Sequence, residues 1–126
     1  ARGTWMSPGG FKSLLVWQKA QALAVAVYLL SRSEPFAREF ALADQMRRAA
    51  ISIPSNIAEG DERDTDKDAV RFFYIAKGSV AELRTQLDLA KQLRFVSDSD
   101  FHHLDSQSDE VARMLRGLIS ARSPRS

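Results

Sequence analysis

The stretch from Gln45 to Gly60 leaves this chain few ways to fold. Apolar side chains recur at Leu42, Met46, Ala49 or Ala50, Ile53 and Ile57, in steps of three and four. That is the rhythm of a helix with a buried face, and it has none of the alternation of a half-buried strand. A second stripe on the same segment is polar and keeps the same step: Gln45, Arg48, Ser52, Asn56 and Glu59. Pro54 stands between them, in a helix interior where proline costs roughly 3 kcal/mol. A helix with only solvent on its outer side has no use for that residue. A helix clamped on more than one side by packed neighbours can carry it.

The same periodicity runs through the rest of the chain and predicts three more helices. The first spans about Ser13 to Ser31, with Leu14, Trp17, Ala20 or Gln21, Leu23 or Ala24, Val27, and Leu30 or Tyr28 in phase, and it is apolar over more of its surface than one buried stripe needs. The excess predicts a second buried face, and so a subunit contact. The second helix spans about Arg38 to Glu59, with Gly60 in the place of a left-handed C-cap. Thr65 and Asp68 form a capping signal for the third, which reaches about Leu93 with an inner face of Phe72, Ile75 or Ala76, Ser79, Leu83, Gln86 or Leu87, and Ala90. Gly78 lies inside it, at a cost of about 1 kcal/mol against alanine, which implies close approach of another helix backbone. Ser97 to Asp100 caps the fourth, whose apolar side is Phe101, Leu104, Val111, Met114 or Leu115, and Leu118.

Short connections make consecutive helices antiparallel neighbours, so the expected architecture is all-α, an up-down-up-down four-helix bundle. Residues 1–10 read as a flexible N-terminal segment, 11–122 as the bundle and 123–126 as a frayed C-terminus. Met6 reads as a candidate natural start. Ala1 to Gly10 lacks the apolar stretch of a secretory signal, and the longest apolar run, Ala22 to Leu30, is far short of the ~20 residues a membrane span needs. With 126 residues there is enough chain for one domain with a real core, not comfortably for two. The absence of cysteine removes disulfides, thiolate nucleophiles and thiolate metal sites, and fits a cytoplasmic protein.

Several segments resemble a bacterial four-helix-bundle family, the 23S rRNA-intervening sequence proteins. Val16-Trp-Gln-Lys-Ala20 is similar to its opening helix and Gln45 to Gly60 to its signature. Phe72, Phe73, Ile75, Ala76, Gly78, Ser79, Glu82, Leu83 and Gln86 are similar to its third helix. The run Ser-Ile-Pro-Ser-Asn-Ile-Ala-Glu-Gly is highly specific; the residues around Trp17 are weak alone. The resemblance implies a four-helix bundle and a ring-shaped homopentamer, with no established biochemical role. A structurally similar group of retroelement accessory proteins binds nucleic acid with a reverse transcriptase, and by analogy of fold this implies RNA or DNA, and a protein, as partners. Two positions depart from the family: Ala37 follows Phe36 where proline is common, and Arg94 with Phe95 occupies a turn that usually holds glycine.

Candidate sites follow from charge and spacing. Every charged residue after Glu110 is basic, namely Arg113, Arg116, Arg122 and Arg125, behind an acidic group of Asp98, Asp100, Asp105, Asp109 and Glu110. Acids at a helix start and bases at its end complement the macrodipole; the same bases could instead hold phosphates, and replacing all four would then leave the fold intact. Lys77, Arg84 and Lys91 repeat every seven residues, and Arg63, Lys67 and Arg71 every four, as a phosphate-tracking stripe or as a solvated face with pairs such as Arg84–Asp88. Aromatics are not interleaved with these bases in the manner of a stacking platform. The polar stripe of the second helix is matched by Ser79, Glu82 and Gln86 on the third. Face to face, the two predict a structural network joining Arg48 to Glu82, since buried charges persist only when paired. His102 and His103 diverge by about 100° on a helix and cannot share an ion. No nucleophile triad, phosphate loop, cofactor motif or metal motif is present, so no catalytic residue is assigned. The reading is a non-enzymatic homo-oligomeric scaffold with a basic surface for nucleic acid; the alternative is a purely self-assembling structural protein.

Overall fold

A computed structural model describes residues 9–123. Residues 1–8 of the flexible start expected over 1–10, Met6 among them, and residues 124–126 of the frayed end expected over 123–126, Arg125 among them, lie outside the described residues. Four helices follow one another: α1 Leu15–Ser31, α2 Phe40–Asp61, α3 Asp66–Gln92 and α4 Asp98–Arg122. Short 3-10 turns at Phe11–Ser13 and Phe36–Arg38 precede α1 and α2. The second turn absorbs Arg38, which is why α2 begins two residues later than its periodicity alone suggests. Among the described residues there is no strand.

Each helix packs on its neighbours in sequence, and α4 closes back onto α1. Directions follow from named contacts. Along α2 from Ser52 to Gly60, the partners on α3 step back from Ser79 to Phe73 and Ala69. Along α3 from Arg84 to Lys91, the partners on α4 step back from Asp105 and Asp109 to Phe101. Lys19 meets Glu110, whereas Leu29, ten residues further along α1, shares a hollow with Asp100 and His103. The bundle is therefore up-down-up-down. Leu23 and Val27 from α1, Met46, Ile53 and Ile57 from α2, Phe73, Leu83 and Leu87 from α3, and Val111 and Leu115 from α4 fill its core.

Local signals explain the ends. Thr65 Oγ1 accepts the Asp68 backbone N–H at 3.2 Å, and Ser97 Oγ accepts that of Asp100 at 3.0 Å, so both expected N-caps form. Pro54 is buried within an unbroken α2, on which Ala50, Ile53 and Ile57 lie in the core. Gly60 is not a cap. The helix passes through it to Asp61 and leaves through Glu62, still right-handed, whose N–H bonds Ala58 O at 3.2 Å. The glycine serves packing instead: a Cβ at Gly60 would lie 2.6 Å from Phe73 Cε1 and 2.9 Å from Ala69 O. Gly78 reverses the other expectation. Nothing lies within 4 Å of a Cβ built there, so no helix approaches it.

The turn from α3 to α4 is closed by two bonds, Phe95 N–H to Ala90 O at 2.9 Å and Arg94 N–H to Lys91 O at 3.0 Å. This is the pattern that places one residue in the left-handed region, and that residue is Arg94, with φ 65°. A side chain at such a position is strained by roughly 1–2 kcal/mol, part of which glycine returns through the greater freedom of the unfolded chain. Arg94→Gly is expected to raise stability by about 0.5–1 kcal/mol. Thermal unfolding checks it, and an unchanged or lower midpoint would show that the arginine is supported by contacts that outweigh the strain.

Candidate functional site

The polar stripes on α2 and α3 face each other, and only their short side chains meet. Ser52 Oγ and Ser79 Oγ are 2.8 Å apart, and Asn56 Nδ2 donates to Ser52 O at 2.8 Å and to Ser52 Oγ at 2.9 Å. The expected Arg48–Glu82 pair does not form. Arg48 is 74% exposed and binds Asp44, one turn back on its own helix, at 2.9 Å. That hydrogen bond holds its pKa above the ordinary value. Glu59 likewise binds Arg63 at 3.1 Å, and Gln45 and Glu82 are exposed. Gln86 is half-buried, with its Oε1 lacking a hydrogen-bond partner. The reason is solvation: long charged side chains at the rim pair locally and stay wet, avoiding the several kcal/mol per ion of burial.

The basic residues separate into three groups. Arg122 belongs to the framework. It is 12% exposed and binds Asp66 at 2.8 Å and the fully buried Asp61 at 3.3 Å, with its guanidinium 5.5 Å from the Phe73 ring. Replacing it would disturb the fold, contrary to the expectation that the C-terminal arginines can be exchanged freely. Arg84 and Arg113 are tied across and along α4. Arg84 reaches Asp105 at 2.9 Å and Asp109 at 3.2 Å, and Arg113 reaches Asp109 at 3.1 Å. The Arg84 pKa is raised, chiefly by the hydrogen bond to Asp105, with partial burial opposing and the charges of both aspartates adding. These partners lie on α4, so the anticipated Arg84–Asp88 pair gives way to contacts between helices. Arg63 and Arg71 are also committed, each stacked 4.4 Å from the Phe72 ring and bound to Asp68.

The third group is Lys77 and Arg116, with Lys91 further along, 4.5 Å from the Phe101 ring. Lys77, Arg84 and Arg116 line a hollow between α3 and α4 with Tyr74, Gly78, Val80, Ala81 and Ala112, an open groove of about 550 Å³. No carboxylate is in its lining. Gly78 and the two alanines make the hollow by being small. Tyr74 is 57% exposed beside it. So two basic runs, 39 residues apart between Lys77 and Arg116, share one groove with an aromatic ring. The sequence carried the signal, because Tyr74, Lys77, Ala81 and Arg84 occupy one helical face. It was hidden because the second wall of the groove comes from α4.

His102 and His103 are both exposed. Among the described residues no group of three or more histidine, cysteine or carboxylate side chains could hold a metal ion, and no helix is long and apolar enough to cross a membrane.

Residues 12–117 match the family profile described as 23S rRNA-intervening sequence protein. Among solved structures, one similar chain is a protein of unknown function from the S23 ribosomal protein family of Bacteroides thetaiotaomicron. It has a TM-score of 0.78 at 23% sequence identity, over 83% of this chain and 98% of that one. At that identity the likeness is one of fold. No curated protein matches this sequence.

Proposed function

The chain belongs to the 23S rRNA-intervening sequence protein family, and from that membership we propose that it is a non-enzymatic, self-assembling scaffold whose α3–α4 groove engages a nucleic-acid backbone. The observation that carries the second half is the groove's lining, in which Lys77 and Arg116 stand with no acid while Arg84 beside them is held by Asp105 and Asp109. Self-assembly is supported by apolar side chains left on two different faces. Leu15, Val25 and Leu29 are exposed on the outer side of α1, and Ile75, Leu89 and Leu93 on α3. Two unlike apolar faces suit a contact that joins one face of a copy to the other face of the next, and such contacts form a ring when the rotation between copies closes. A homopentamer satisfies this geometry. Repetition also supplies what one groove lacks, since two or three cations bind phosphate weakly and a ring multiplies them.

The test pairs sedimentation with nucleic-acid titration at about 50 and 200 mM salt. A stable oligomer is expected, with affinity falling by about 10³–10⁵ over that range if 6–10 phosphates are engaged. Lys77→Gln with Arg116→Gln should flatten the salt dependence and leave the thermal midpoint in place. A stable monomer at micromolar concentration would refute the scaffold. An oligomer without binding at the lower salt would leave a purely structural protein, a reading favoured by the pairing of Arg84, Arg113 and Arg122 with carboxylates.

A further inference from the structure

We infer that the α3–α4 groove takes a nucleotide of a single strand, its base against Tyr74 and its phosphate at Lys77 and Arg116. This rests on the nucleic-acid reading above and narrows it from any backbone to an unpaired one.

Three observations carry it. The first is the ring. Tyr74 is a large, exposed aromatic beside a basic hollow, and among the described residues no ring or cation contact engages it. Aromatic faces in basic grooves are the platforms on which unpaired bases stack without sequence preference. The second is the shape. The hollow of about 550 Å³ lies in the range that encloses a small ligand. Gly78, Ala81 and Ala112 form its small-residue walls, and the missing Gly78 side chain leaves open space. A duplex keeps its bases stacked inside and offers only its backbone to such a concavity, whereas a single strand can turn a base into it. The third is charge. Lys77 stands three residues from Tyr74, so the two are neighbours about 5–6 Å apart at Cβ, within the reach of one nucleotide from base to phosphate. Arg116 flanks from α4, and Asp105 and Asp109 on that helix are held by Arg84.

Anisotropy titrations of the full chain with labelled oligothymidine, oligouridine and a duplex of equal length test this. Single strands are expected to bind more tightly than the duplex. Tyr74→Ala should weaken single-strand binding by about tenfold or more and leave duplex binding unchanged, while Tyr74→Phe keeps both. Gly78→Gln fills the groove where nothing obstructs a side chain and improves helix propensity. It should therefore abolish single-strand preference without lowering the thermal midpoint. Equal loss on duplex and single strand, or none, with Tyr74→Ala would overturn the inference and leave backbone binding standing. A change of sedimentation on Tyr74→Ala would overturn it too, by placing Tyr74 in a subunit contact. No binding of the unaltered protein to any of the three probes would overturn both this inference and the reading it rests on.

Discussion

Asp61→Ala is expected to lower stability by about 3–5 kcal/mol. Asp61 is fully buried at the end of α2, and Arg122, near the end of α4, reaches it at 3.3 Å and Asp66 at 2.8 Å. The three residues tie the ends of α2 and α4 to the start of α3 over the Phe73 ring. Removing the Asp61 carboxylate takes the partner from Arg122 Nη1 and leaves Asp66 on Nε alone, in a place water barely reaches. Total stabilities of small domains are about 5–15 kcal/mol, so the loss is a large share of the whole. Chemical denaturation reads it directly, and a loss below about 1 kcal/mol would mean that the pair is solvated in solution. The double variant Asp61→Leu with Arg122→Met separates charge from packing. It should recover much of the loss, since apolar replacement of a buried pair is often neutral.

Gly60→Ala is expected to cost about 2 kcal/mol, although alanine is the better helix former by about 1 kcal/mol. The new Cβ would stand 2.6 Å from Phe73 Cε1 and 2.9 Å from Ala69 O. The ring could shift at the expense of the core around it. The carbonyl oxygen could move only with the first turns of α3. Phe73→Leu in the same chain should rescue part of the loss, because residues in contact do not add independently. A stabilised Gly60→Ala would show that α2 and α3 are further apart than described. The same change at Gly78 should be harmless or mildly stabilising, since open space surrounds it.

The contrast between these glycines marks how far the sequence could be read. Both lie inside helices, and the linear chain misassigned both: a cap at Gly60, which is a point of close packing, and a close approach at Gly78, which is open. A helix glycine declares that something is accommodated there, not what. Gly60 faces Phe73 and Ala69 of the next helix, and Gly78 opens the floor of a groove. The basic residues behave alike. Arg113, Arg116 and Arg122 look equivalent in the chain, yet they are paired along α4, free at the groove and locked under the bundle's end. Tyr74 drew no notice until α4 brought Arg116 beside it.

What the sequence determined by itself is the set of local interactions: the number of the helices, the caps at Thr65 and Ser97, and most of the apolar positions that make the core, although on α3 the structure buries Phe73 and Val80 where the periodicity points to Phe72 and Ser79. Those depend on residues three and four apart, so periodicity and capping chemistry suffice to state them. Tertiary structure alone decided which polar stripe residues meet, which arginines are neutralised and where a ligand-sized hollow opens. Such properties depend on side chains 21 to 61 residues apart, as in Arg84 with Asp105 and Arg122 with Asp61. They also depend on the balance between ion pairing and desolvation, which changes over a few ångströms of depth and leaves no period in the sequence.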